Sequence, residues 1–202
     1  MFALVQDGSI TKYLSGNRGI ILGDIQYPRD IYSKWTEAER NVIGIYEVIQ
    51  NNAKKKDEAY YINTDQTFTY DADSGTVTAT FGDATAKAHA DSLYTAQNES
   101  DGLGTEGEVK TEGLKTQLIR TLKSQAAGIL RDTDWYIVRK ADAGTAVPSA
   151  ITTHRAAVRT KCASQETQIT NASDTPALET LYTYTTTDGV QSRPLGELPI
   201  LE

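Results

Sequence analysis

Apolar and polar residues alternate at the start of the chain and again between residues 59 and 81. Beyond residue 113 the repeat lengthens to that of a helix. Phe2 and Leu4 alternate with Ala3 and Val5, which predicts a strand, and Asp7-Gly8 has the composition of a two-residue hairpin turn leading into a returning strand over 9–14. Ile20-Ile21-Leu22 lies between Gly19 and Gly23 and is too short to separate strand from loop. Tyr27-Pro28 disfavours helix at that point. Thr36 and Glu39 have the spacing of a capping box, so a short helix should begin at Glu37 and stop near Gly44. Ile43, Ile45, Tyr46 and Val48 then predict another strand. Residues 66–70 and 76–81 read as a hairpin around Asp71-Ala72-Asp73-Ser74-Gly75.

Residues 84–97 carry a weak helical stripe of Ala86, Ala90, Leu93 and Tyr94. Residues 98–113 hold four glycines among polar and acidic residues and read as a linker. After it, Leu114, Leu118, Leu122, Ala126 and Ile129 recur at steps of three and four, the strongest helix signal in the chain. A second helix should follow Ser149 as its cap, placing Ile151, Val158, Cys162 and Ile169 towards a partner. Asp174-Thr175-Pro176 announces a third. The expected fold class is α+β. A β-rich N-terminal docking unit spans 1–97, a glycine-rich linker 98–113, a helical hairpin or bundle 114–182, and an extended arm or final short hairpin 183–202.

Composition narrows the chemistry. Twenty Lys and Arg against 27 Asp and Glu give a formal charge of −7, and the one tight basic run, Lys54-Lys55-Lys56, is followed at once by Asp57 and Glu58. That balance repels phosphate backbones and argues against nucleic acid as partner. No apolar run approaches the length of a membrane span, and the first residues lack the pattern of a secretion signal. One cysteine and two histidines make a protein-only zinc site an unexpected outcome, and no cofactor is expected. The 71–75 cluster echoes a calcium loop, but its glycine comes one position early and Gly82 stands where the closing glutamate belongs, so turn formation is the better account. Gly16, Gly19 and Gly23 are not followed by the Gly-Lys-Ser/Thr of a phosphate loop. Asn98-Glu99-Ser100 and Asn171-Ala172-Ser173 match the glycosylation acceptor pattern and are read as coincidence, since no secretion signal accompanies them. Cys162 and His154 lie eight residues apart on one predicted helix, about 12 Å along its axis, too far for a nucleophile and its base.

Asp132-Thr133-Asp134-Trp135 follows the strongest helix. Trp135 is expected to cap the apolar seam between that helix and the next, with Asp132 or Asp134 pairing with Arg155 or Arg159; the other reading makes Trp135 a partner-binding hot spot. The order of helix 114–130, Thr133-Asp134-Trp135, a gap containing Pro148, and His154-Arg155-Ala156-Ala157-Val158-Arg159 resembles a module of tailed bacteriophages. In that family a helix leads into Thr-Asp-Trp and a second helix carries an aromatic followed by Arg-x-x-Leu-Arg, in tail-fibre assembly chaperones and related tail proteins. Trp135, Arg155 and Arg159 match it. Ile151 stands where a tryptophan is common, His154 where tyrosine is usual, and the Trp-Pro pair near the end is missing. The opening Met-Phe-Ala-Leu-Val-Gln-Asp-Gly, with Ile10-Thr11-Lys12-Tyr13, Tyr27-Pro28, Trp35 and Ile43-Gly44-Ile45-Tyr46, is similar to the N-terminal unit of phage tail-associated proteins. Residues 60–110 and the tail arm match neither.

The resemblance implies a non-enzymatic structural protein of the virion tail, made in the host cytoplasm, that attaches or connects fibres to the tail or baseplate. Its implied partners are fibre or baseplate proteins, with a homo-oligomer following from fibre symmetry, and Trp135, Asp134, Arg155, Arg159 and His154 as the module's residues. The alternative it implies is an assembly chaperone that assists fibre folding and oligomerisation. A polysaccharide hydrolase is disfavoured, because nothing in the sequence singles out two of its many carboxylates as an acid pair.

Overall fold

The computed structural model describes residues 1–201, which form two compact units that divide between residues 85 and 86. In the first unit, β1 (Phe2–Gln6) pairs antiparallel with β2 (Ser9–Leu14) across the Asp7-Gly8 turn, where both residues have positive φ. β3 (Ile20–Leu22) and β4 (Ile25–Tyr27) form a separate small hairpin, so the apolar run at 20–22 resolves as strand. Two short helices follow, α1 (Ile31–Lys34) and α2 (Glu37–Val42). The expected capping box is present at α2: the Glu39 N–H donates to the Thr36 hydroxyl and the Thr36 N–H to the Glu39 carboxylate.

β5 (Ile45–Asn51) returns along β1 and pairs with it antiparallel. After β6 (Tyr61–Ile62) come β7 (Gln66–Asp71) and β8 (Thr76–Phe81), the hairpin expected from the Asp71–Gly75 turn. The Asp71 carboxylate accepts from the Asp73 and Ser74 N–H groups, so this cluster closes a turn. β8 lies parallel to β5, giving a five-stranded sheet in the order β2-β1-β5-β8-β7. The sheet curls until its edges meet, with Tyr13 of β2 and Phe68 of β7 in ring contact at 4.7 Å.

Period-two alternation sends the two faces of β1 into different cores. Ala3 and Val5 join Val48, Val77 and Ala79, with Tyr46 and Tyr70 packed against them and their hydroxyls hydrogen-bonded at 3.2 Å. Leu4 joins Leu14, Ile20, Ile31 and Ile45 on the other side, where Phe2, Tyr32 and Trp35 cover it. Gly44 lets the chain turn from α2 into β5. Its φ is +78°, its carbonyl accepts from the Val5 N–H at 2.8 Å, and a Cβ there would fall 2.5 Å from the Val5 carbonyl oxygen.

The chain passes into the second unit at β9 (Thr85–Ala86), and in this unit several expectations are corrected. Residues 84–97 are not a helix: β10 (Ser92–Leu93) precedes only the short α3 (Ala96–Ser100), because the weak apolar stripe buries nothing and Thr95 caps a new helix with Asn98. Residues 98–113 are not an open linker. β11 (Val109–Thr111) pairs with β10, and the Asp91 carboxylate accepts from the Gly113 N–H at 2.6 Å and the Thr116 hydroxyl at 2.8 Å. The stretch is held by polar contacts in place of apolar burial, and the boundary falls at 85/86 instead of 97/98.

α4 (Leu114–Arg131) and α6 (Ser149–Asn171) pack along each other and bury Leu122, Ala126, Ile151, Val158 and Ile169. Between them the chain forms α5 (Asp134–Ala143), a helix absent from the sequence-based expectation. Pro148, not Ser149, occupies the N-cap of α6, since proline's fixed φ and missing N–H suit a helix entrance. α7 (Thr175–Tyr182) starts as expected, with the Asp174 side chain accepting from the Ala177 N–H, and the Thr175 hydroxyl donates to the Lys87 carbonyl at 2.6 Å. A further correction concerns 183–202. β12 (Thr185–Thr187) and β13 (Val190–Ser192) form a hairpin, as one of the two readings had it, and the chain after it is not an extended arm. Leu195 is buried, and Gln165, 1% exposed, donates its amide to the Leu195 and Gly196 carbonyls at 3.2 and 2.8 Å.

Gly44→Ala is expected to destabilise the first unit by about 1–3 kcal/mol, read as a shift in its denaturation midpoint. The Gly113 N–H, and after it the Thr116 hydroxyl, hold the Asp91 carboxyl below its ordinary value of 3.8. A depressed folded-state pKa contributes stability above the unfolded value and loses it as pH falls through the folded one. On acidification from about pH 6 to about pH 3, the melting temperature of the chain should therefore drop further than that of Asp91→Asn.

Candidate functional site

The residues singled out around Thr133-Asp134-Trp135 meet at the junction of α4, α5 and α6. α4 ends at Arg131 with its last carbonyls unpaired within the helix, and α5 begins three residues later at Asp134. Arg155, on the second turn of α6 and buried, fills that corner. Its Nη1 donates to the Leu130 carbonyl at 2.7 Å and to the Thr133 hydroxyl at 2.6 Å, and its Nη2 lies 2.8 Å from an Asp134 carboxylate oxygen. One guanidinium thus meets the negative end of α4 and, through Asp134, the positive end of α5. The Thr133 hydroxyl also donates to the Leu130 carbonyl at 3.0 Å, so Leu130 receives donors from two side chains.

The expected pairing of an Asp with an Arg is therefore realised as Asp134 with Arg155. Arg159 stands apart from it. One turn further along α6, it is exposed, reaches back to the Arg155 carbonyl at 3.5 Å, and lines a shallow groove between α4 and α6 with Lys123, Cys162 and Glu166. His154 is buried and borders a small open pocket with Ile129, Thr133 and Ile200.

Trp135 corrects the expectation of a seam-capping ring. It is 51% exposed, because α5 leaves the helical pair and buries none of its ten residues. The indole instead stacks on Tyr136 at 3.8 Å between centroids, with the Arg139 guanidinium 4.7 Å above the indole and 5.5 Å above the Tyr136 ring. Ile137 and Val138 are also exposed on α5. Tyr136 and Arg139 are the site residues that sequence reasoning passed over, and Thr133 was named in the motif without the role it has in holding Arg155. The spacing of four between Trp135 and Arg139 was the available signal, since a helix places such residues side by side.

No group of His, Cys, Asp and Glu among the described residues has the arrangement of a metal site. Burial, then the nearby Glu166, pushes the Cys162 thiol above its ordinary value, which leaves it a protonated and weak nucleophile at neutral pH. What the junction can do chemically is present a fixed, cation-stacked aromatic surface.

Arg155→Met should destabilise the second unit by about 2–4 kcal/mol, because the Leu130 and Thr133 oxygens lose a buried charged donor. Trp135→Ala should cost less than about 1 kcal/mol, as for an exposed side chain. Denaturation of each variant followed by circular dichroism checks both values.

Comparison of the chain with protein-family models, with curated proteins and with solved structures gave no match.

Proposed function

We propose that this chain is a non-enzymatic tail protein of a tailed bacteriophage, one that attaches or connects fibres to the tail or baseplate through protein–protein contacts. The observation that supports the reading is the Arg155 corner. The Thr-Asp-Trp segment and the arginine that carry the resemblance to the phage module form one hydrogen-bonded unit, and that unit holds Trp135 outwards on a helix none of whose residues is buried. An exposed tryptophan stacked with tyrosine and arginine has the composition of an interface hot spot. Fibre or baseplate proteins are the partners in this reading, the chain works as a homo-oligomer matching fibre symmetry, and its place is the virion. The assembly chaperone is the competing role, in which the same surface holds a fibre only until it has folded.

Quantitative mass spectrometry of purified particles of the encoding phage separates the two. A fixed number of copies per tail is the expected result, and absence from particles overturns the structural role in favour of the chaperone. In the same particles, Trp135→Ala should lower incorporation by about tenfold or more, the effect of losing a hot spot, while the melting temperature of the isolated chain stays nearly unchanged.

A further inference from the structure

The first unit carries a concavity at odds with the chain's acidic balance. It has a volume of about 470 Å³ and lies between the end of β2, the 15–19 loop, the start of β3 and Tyr32 of α1. Lys12 and Arg18 both line it, and no Asp or Glu does. Among the described residues neither cation forms an ion pair, although the chain as a whole has seven more acidic than basic residues. Two exposed cations on the rim of one concavity, with no carboxylate beside them, give it a locally positive potential that favours an anion.

The loop is also built in advance. Gly16 has φ +73°, and a Cβ there would meet the Phe2 ring at 3.0 Å; a Cβ on Gly19 would fall 2.5 Å from the Tyr27 carbonyl oxygen. At both positions the backbone runs so close to its neighbours that only glycine fits, so the shape of the loop depends on these two residues. Phe2 in turn holds the Tyr32 ring, 4.9 Å away between centroids, and burial raises the Tyr32 phenol above its ordinary value, keeping it a neutral donor. The Ser15 hydroxyl donates to the Asn17 side-chain oxygen at 2.5 Å, which leaves the serine oxygen free to accept and the Asn17 amide free to donate. Tyr13, half exposed and braced by Phe68, adds an aromatic wall.

A cavity of this volume takes a body of one or two sugar rings, and its lining combines cations, hydroxyl-matching groups and aromatic faces. We propose that it binds an acidic sugar, a ring bearing a carboxylate or a phosphate. Arg18 and Lys12 engage the anionic group, and Ser15, Asn17 and Tyr32 meet the ring hydroxyls. This site is independent of the Trp135 surface and of the role proposed for it.

Isothermal titration of the full chain with glucuronate, glucose 6-phosphate, glucose and inorganic phosphate tests the proposal. The expected result is saturable one-to-one binding of at least one acidic sugar, with glucose and inorganic phosphate each weaker by about tenfold or more. The stronger of glucuronate and glucose 6-phosphate tells which anionic group the site prefers. Arg18→Gln and Lys12→Gln are exposed changes that leave the melting temperature unaltered, and each should weaken binding by about tenfold and flatten its dependence on salt. Absence of saturable binding for both acidic sugars at concentrations up to about 20 mM, near the weak limit of a specific site, overturns the proposal. So does undiminished binding by both variants, and equal affinity for inorganic phosphate overturns the sugar assignment.

Discussion

A single buried guanidinium sets the geometry of the helical unit. α4 must end somewhere, and a helix end in a protein interior leaves carbonyls that need donors. Arg155 supplies them from across the helical pair, and in the same plane it meets the carboxylate that starts the next helix. The direction in which α5 leaves, and with it the outward placement of Trp135, follows from that corner. A lysine in its place would offer one point of charge, where the arginine's fork serves Leu130, Thr133 and Asp134 together. Arg155 is thus a positioning residue for a surface it does not itself belong to.

The first unit solves a different problem. Its β1 is buried on both faces, so a single strand of alternating apolar residues must feed two cores. Curling the sheet encloses one of them, and the helices with the β3–β4 hairpin cover the other. The Tyr13–Phe68 contact brings the two edge strands together, which limits the row of unpaired backbone groups an open sheet would expose.

Much of this was legible in the order of residues because its causes are local. The Asp7-Gly8 turn, the Thr36/Glu39 box, the 66–81 hairpin and the Asp174 cap each depend on atoms within a few positions of one another. The α4 and α6 stripes were legible for the same reason, as was the chance that Asp134 would find Arg155. Elements fixed by distant partners were not. The 98–113 stretch looks like a linker until Asp91 is known to reach Gly113 and Thr116, and 183–202 looks like an arm until Gln165 is seen to clasp Leu195 and Gly196. Trp135 misled because a tryptophan beside an amphipathic helix ordinarily buries its ring. Its exposure depends on α5, whose mixture of apolar and charged residues carries no clear stripe.

The Gln165 clasp has a bearing on how the chain is made. The first unit has all five strands of its main sheet once residue 81 has left the ribosome, and the longest pairing in that sheet, β1 with β5, joins Phe2 to Glu47. The second unit cannot close early, since Lys87 waits for Thr175 and Gln165 waits for Leu195 and Gly196. During synthesis a finished β unit therefore precedes helices whose apolar stripes have yet to be sealed, and that interval is when the nascent chain is most open to capture by a chaperone or by another copy of itself.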